Sequence, residues 1–196
     1  MKITVVNTHP NPDSFTYSLR EAVVGKLQEL GHQVVDRDLY TLQFNPVLSL
    51  EEYTDSMSGQ FQEDVRVEQE YIQWADCLVF IYPLWWGTLP ALLKGYIDRV
   101  FSYGFAYQLE DGEVQKMLTG KKVILFTTMG NSDGHYREVR MFDAMSKTVD
   151  EGIFEYVGME VLEHKYFASV TSVDDETRKQ MLEEAKAVVS KLVASS

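Results

Sequence analysis

CLVFIYPLWWGTLPALLKGYIDRVFSYGFAY, residues 77–107, decides the fold. Residues 77–82 carry no charge and predict a central parallel strand covered on both faces. Pro83 is expected to end the ladder, and Pro90 to pre-set the first turn of an amphipathic helix over residues 90–102 that carries Lys94, Asp98 and Arg99. Residues 83–89 then form a loop at the carboxyl end of a strand, where open α/β sheets bind ligands. Trp85 and Trp86 stand in that loop. Large aromatics usually pack in cores, but position favours a second reading, in which Pro83, Leu84, Trp85, Trp86 and Gly87 form a platform for a flat ligand. Phe105 and Tyr107 add aromatics after the helix.

Working outward, residues 3–7 predict a buried strand. Residues 14–30 predict a helix with Leu19, Val23, Leu27 and Leu30 near a 3.6 period, closed by Gly31. Residues 32–39 supply a second strand, and residues 41–62 read as irregular, with little periodicity. A helix over residues 65–75 leads into the strand at 77–82. Residues 122–128 predict a fourth strand, 141–157 a helix ending near Gly158, and 161–167 a fifth strand. Asp174 or Asp175 should cap a last helix over residues 176–192, with Met181, Leu182, Ala185, Val188, Val189 and Leu192 on its apolar side. Alternating β and α segments imply a doubly wound α/β fold with helices on both faces of a five-stranded parallel sheet, in the flavodoxin-like order 2-1-3-4-5. The whole chain, residues 1–196, is expected to be one domain.

The net charge of −12 argues against general affinity for nucleic acid or anionic membranes, because either needs a basic footprint. Any phosphate must be held locally. The one cysteine, Cys77, lies in an apolar strand, so no internal disulfide can form and a reducing compartment is expected. The N-terminal MKITVVNT is too polar for a signal peptide and the apolar runs are too short to span a bilayer, so a cytoplasmic protein is expected.

Two further segments could carry chemistry. His9, Ser14, Phe15 and Thr16 join the first strand to the first helix, where helix-end amides and the dipole can seat an anion without Lys or Arg; a plain capped turn is the alternative. Thr127, Thr128, Met129, Gly130 and Asn131, continuing to His135 and Tyr136, follow the fourth strand beside the aromatic loop. Glycine there permits close backbone approach, and Asn131, His135 and Tyr136 offer hydrogen bonds, although a solvated turn would use the same residues. No spacing of histidines or cysteines specifies a metal. Glu110, Asp111 and Glu113 around Gly112 read as a solvated turn.

The Pro83-Leu84-Trp85-Trp86 turn, with Leu93-Lys94-Gly95, Asp98-Arg99-Val100-Phe101 and Phe105-Ala106-Tyr107 after it, resembles the NAD(P)H:quinone oxidoreductase branch of the flavodoxin-like superfamily. His9, Ser14, Phe15, Asp38-Leu39-Tyr40, Phe44-Asn45-Pro46 and Thr127-Thr128 with Gly130 extend the resemblance over most of the chain. It implies a flavin whose ring lies on the aromatic turn, whose phosphates lie at His9, Ser14, Phe15 and Thr16, and whose other edge meets residues 127–131. FAD is favoured through the 38–46 segment, with FMN as the alternative. The implied activity is ping-pong, two-electron transfer from NAD(P)H to quinones or similar flat acceptors. Tyr136 or His135 would act at the flavin, and Trp86, Phe105 and Tyr107 at the substrate, the last two across a homodimer interface. Thr16 stands where relatives commonly have Asn, and Met129 interrupts their Thr-Thr-Gly-Gly. The alternatives are a non-catalytic flavin-binding subunit of a cation efflux system, a one-electron carrier, and a nitro- or azo-compound reductase.

Overall fold

The computed structural model describes residues 1–191. Strands β1 (Lys2–Asn7), β2 (Gln33–Asp38), β3 (Cys77–Pro83), β6 (Lys122–Thr128) and β7 (Glu160–Phe167) form one parallel sheet in the order β2-β1-β3-β6-β7. Strands β4 (Tyr107–Glu110) and β5 (Glu113–Lys116) pair only with each other. With that hairpin set aside, the expected order 2-1-3-4-5 is the observed one.

Every residue of β3 is buried, as are all but the first of β1 and β6, because helices cover both faces. Alternation along β3 divides the core. Cys77, Val79 and Ile81 pack with Leu19, Val23 and Leu27 of α1 (Phe15–Glu29) and Ala185 and Val189 of α7 (Asp175–Lys191). Leu78, Phe80 and Tyr82 pack instead with α3 (Glu63–Trp74), α4 (Ala91–Val100) and the segment after α6 (Met141–Met145). Ser14 caps α1 by accepting the Tyr17 N–H at 3.3 Å, and Asp174 caps α7 by accepting the Thr177 N–H at 2.8 Å. Met181, Leu182 and Val188 pack at the margin of the α1 side; Leu192 lies outside the described residues.

Several boundaries differ from expectation. The strand ends at Pro83, which is itself its last residue, one beyond the expected 77–82, opposite Thr128; Leu84 N–H then reaches Thr128 O at 2.8 Å. Pro90 is the N-cap of α4, with an extended ψ of 149°, rather than a residue of its first turn. Residues 41–62 are not wholly irregular, because α2 (Leu50–Ser56) starts at a capping box between Ser49 and Glu52. The expected helix over 141–157 is α6 followed by ten residues of π-helix, Ser146–Glu155, in which the wider winding carries Asp150 and Phe154 inward. The acidic turn at 110–113 joins β4 to β5 through two left-handed residues, Asp111 (φ 52°) and Gly112 (φ 82°), as a type I′ hairpin requires.

The 41–62 segment is tied to α4 by a buried guanidinium. Arg99 donates to Glu52 at 2.6 Å, to Asp64 at 2.6 Å and to the Asn45 carbonyl at 2.7 Å. Pro46 sits against Gly95 so closely that a β-carbon there would stand 2.2 Å from the Pro46 oxygen.

Candidate functional site

At the carboxyl ends of β1, β3, β6 and β7, loops converge on a cleft of about 400 Å³. Its lining comprises His9, Ser14, Phe15 and Thr16 on one side, Pro83, Leu84 and Trp85 on a second, Thr128, Met129 and Gly130 on a third, and Val170 and Thr171 at the end. Hydrogen bonds beyond the ladders hold these loops together. Met129 N–H donates to Phe167 O at 2.8 Å, Val170 N–H to Met129 O at 3.1 Å, and Ser169 N–H to Asn131 O at 2.9 Å. The Thr16 and Thr128 hydroxyls meet at 2.8 Å across the floor.

The polar side of this cleft is the start of α1. A helix leaves its first amides without intrahelical partners, and the Phe15 and Thr16 amides carry no hydrogen bond among the described residues. The first turn of α1 holds no acidic residue, and neither acid nor base lines the cleft apart from His9. His9 holds the turn through Nδ1, which lies 3.1 Å from both the amide and the carbonyl of Asn11; its ring lies 5.8 Å from that of Trp85. The donor set therefore consists of backbone amides, hydroxyls and one imidazole at a helix N-terminus, facing an apolar wall. That chemistry suits a phosphorylated molecule with a flat ring.

Not every expected residue joins this lining. Trp85, Trp86, Gly87 and Thr88 make a two-residue turn closed by reciprocal 3.1 Å bonds between Trp85 and Thr88, with Trp86 and Gly87 both left-handed at φ 50° and 78°. Trp85 faces the cleft, whereas Trp86 is 103% exposed. Thr127 points to the opposite face of the sheet, because neighbours along a strand alternate, and its hydroxyl lies 2.9 Å from His164 Nε2. Tyr136 is buried beneath the β6–α5 loop, where α5 is Asp133–Glu138, and its hydroxyl accepts the Asn131 N–H at 3.2 Å. His135 is exposed on the same helix. Tyr107 instead lines two other clefts, of about 180 and 440 Å³, which flank α4 on the side of α2 and of the π-helix. Phe105 packs partly buried against the core on that side. Val170 and Thr171 were not anticipated. Their only signal is their place after the last strand, at the same sheet edge as the other lining loops.

Comparison with known proteins gives a consistent result. The flavodoxin-like fold family matches residues 1–192. An NAD(P)H oxidoreductase of Haemophilus influenzae is 38% identical over 184 residues, 93% of this chain and 91% of the relative. NAD(P)H dehydrogenase [quinone] 1 of Rattus norvegicus is 31% identical over 199 residues, 91% of this chain and 73% of the relative. The solved NAD(P)H:quinone oxidoreductase of Methanothermobacter marburgensis superposes with a TM-score of 0.86 at 32% identity, covering 95% of this chain and 96% of that one.

Proposed function

The chain belongs to the flavodoxin-like family of NAD(P)H oxidoreductases and quinone reductases, and we propose that it is a flavin-dependent NAD(P)H:quinone reductase. The observation that carries this reading is the joining, in one cleft, of unpartnered α1 amides with the apolar Leu84–Trp85 and Thr128–Gly130 walls. The amides of Phe15 and Thr16, the Ser14 hydroxyl and the His9 ring would hold a flavin phosphate. Pro83, Leu84, Trp85, Thr128, Met129 and Gly130 would hold its ring and exclude water from one side. A bound flavin supplies the hydride chemistry, and the protein supplies binding, orientation and electrostatics.

Turnover is ping-pong, with the nicotinamide and then the quinone using one pocket over the flavin. Trp86 and Gly87 form its outer rim. Tyr136 braces the Asn131 amide and so shapes the loop, while His135, exposed beside it, is the ring that would serve as proton donor. FAD is the cofactor we assign, with FMN the alternative, since both share the ring and the proximal phosphate. We assign a homodimer, a reading supported by the exposed Tyr53 and Tyr156 that line the Tyr107 clefts, with Phe105 and Tyr107 serving the neighbouring protomer's pocket. No helix among the described residues is long and apolar enough to cross a membrane.

Steady-state oxidation of NADH and NADPH with a benzoquinone tests the activity, and parallel double-reciprocal lines are expected. Retained flavin without turnover would leave a flavin-binding protein and overturn the enzyme reading. The mass of the heat-released flavin decides between FAD and FMN, and sedimentation of the active species tests the dimer.

A further inference from the structure

Behind the cleft, on the face of the sheet turned away from α1, a row of hydroxyls crosses three strands. Tyr82 of β3 is in register with Thr127 of β6, and Thr127 with Tyr166 of β7. His164 lies among them. Its Nε2 is 2.9 Å from Thr127 Oγ1 and 3.4 Å from the Tyr82 hydroxyl; its Nδ1 is 2.6 Å from Asp150 Oδ1 and 2.9 Å from the Tyr166 hydroxyl. The imidazole stacks on the Tyr166 ring at 4.1 Å. The His164 and Asp150 side chains are 5% and 12% exposed, and Thr127 and Tyr82 are fully buried. Asp150 reaches this point from the π-helix, a winding that recurs at functional sites.

The reaction described above makes no use of this group, and an apolar set would join the strands as firmly, since a buried charge gains little net stability from its partner. The groups facing His164 are Asp150 from the π-helix, Tyr82 from β3 and Tyr166 from its own strand; α6 adds the uncharged Phe142 ring against Tyr166. Burial, helped by the Asp150 charge, pushes the Tyr82 and Tyr166 hydroxyls up, so both stay neutral. The charge of the cluster is therefore set by Asp150 and His164. With one proton on Nδ1 toward the carboxylate, Nε2 has two states. It accepts the Thr127 O–H, leaving the pair at −1, or it is itself protonated and donates to Thr127 Oγ1, leaving the pair neutral. No heavy atom has to move between them. The next residue after Thr127 is Thr128, in the cleft wall.

We propose that Asp150 and His164 form a proton-holding positioning pair for the cleft. His164 Nε2 takes a proton from solvent when a ligand in the cleft gains negative charge and returns it when that charge leaves; no bond to the ligand forms or breaks. The inference rests on the flavin reading of the cleft.

The test is the midpoint potential of the bound flavin across pH, with dithionite as the two-electron reductant. H164Q removes the basic site and leaves the carboxylate, so its potential should fall below that of the wild type toward acid pH and converge with it toward alkaline pH. D150N removes the negative charge, so its potential should rise above the wild type at the alkaline end and converge at the acid end. A tenfold change in relative affinity for reduced flavin corresponds to about 30 mV for a two-electron couple. A merely structural role would not produce shifts of opposite sign at opposite ends of the pH range. The His164 ring signals in the NMR spectrum of the wild-type protein should titrate at higher pH when the flavin is reduced, a result that needs neither variant to fold. Flavin retained with an unmoved His164 titration, or variant shifts of the same sign, would overturn the pair's role alone. A chain that retains no flavin would overturn the cofactor reading and this inference with it.

Discussion

Replacing Ser14 separates two roles that its hydroxyl can play at once. The oxygen accepts the Tyr17 N–H as the N-cap of α1, and the residue also lines the cleft, where the same hydroxyl still has its proton to give. Alanine removes both the cap and the donor. Glycine removes the donor but caps nearly as well, because it adopts the N-cap conformation without strain and leaves the first amides open to water. In flavin-free protein, S14A should therefore lose about 1 kcal/mol by urea unfolding and S14G only a few tenths. Flavin affinity should behave differently. A hydrogen bond to a charged phosphate contributes roughly 1.5–3 kcal/mol, so both variants should bind flavin about ten- to a hundred-fold more weakly. Fluorescence-quenching titration of the apoprotein gives this number directly. If S14G binds flavin as the wild type does, the α1 turn is not the phosphate seat; if affinity merely follows stability across the two variants, Ser14 acts only as a cap.

Other substitutions probe the frame around the site. Trp86→Ala should change stability by less than about 0.5 kcal/mol, since the side chain is wholly exposed, yet lower kcat/KM for quinones; unchanged turnover per bound flavin would remove Trp86 from the substrate site. Arg99→Leu strips the nearly buried Glu52 and the half-exposed Asp64 of their partner and should cost about 3 kcal/mol by urea unfolding at neutral pH, the lower end of the usual range because Asp64 is 46% exposed. The Arg99 guanidinium holds the Asp64 carboxyl below its ordinary range, so this stabilisation is present above about pH 4 and is lost as pH falls through the lower folded value; R99L should lack that part of the acid-side loss. Gly95→Ala should be destabilising by about 1–3 kcal/mol or more, because the new β-carbon meets Pro46 backbone at 2.2 and 2.6 Å and the neighbouring Asn45 carbonyl is held by Arg99.

What the sequence made legible follows from how many neighbours read each segment. Strands β1, β3 and β6 are covered on both faces, so uninterrupted apolar runs mark them, and their order follows from the β-α alternation. The β4–β5 hairpin is exposed over residues 109–116 and its strands are four residues each, too short for the alternation of Tyr107 and Leu109 to mark a strand, so Asp111-Gly112 looked like a turn between nothing in particular. Helix α2 had its signal in plain view, in the Ser49–Glu52 capping box, but Leu50 and Tyr53 of that helix are exposed at 81% and 54% and give no core-facing stripe. The π-helix shares its apolar pattern closely with an α-helix at this length; what distinguishes it is the i→i+5 backbone bonding, as in Tyr156 N–H to Glu151 O at 3.1 Å, which no residue pattern announces.

The site shows the same division more sharply at Thr127 and Thr128. Sequence reasoning could place both at the carboxyl end of a strand, and strand periodicity dictates that they face opposite ways. It could not say which faces the cleft, because both faces of this sheet are covered and both residues are threonine. The choice is made by their partners. Thr16 on α1 offers a hydroxyl to Thr128 in front, and His164 on β7 offers an imidazole to Thr127 behind. Two adjacent residues of one strand thus connect the loop that would seat a phosphate with a buried carboxylate and imidazole on the far side of the sheet.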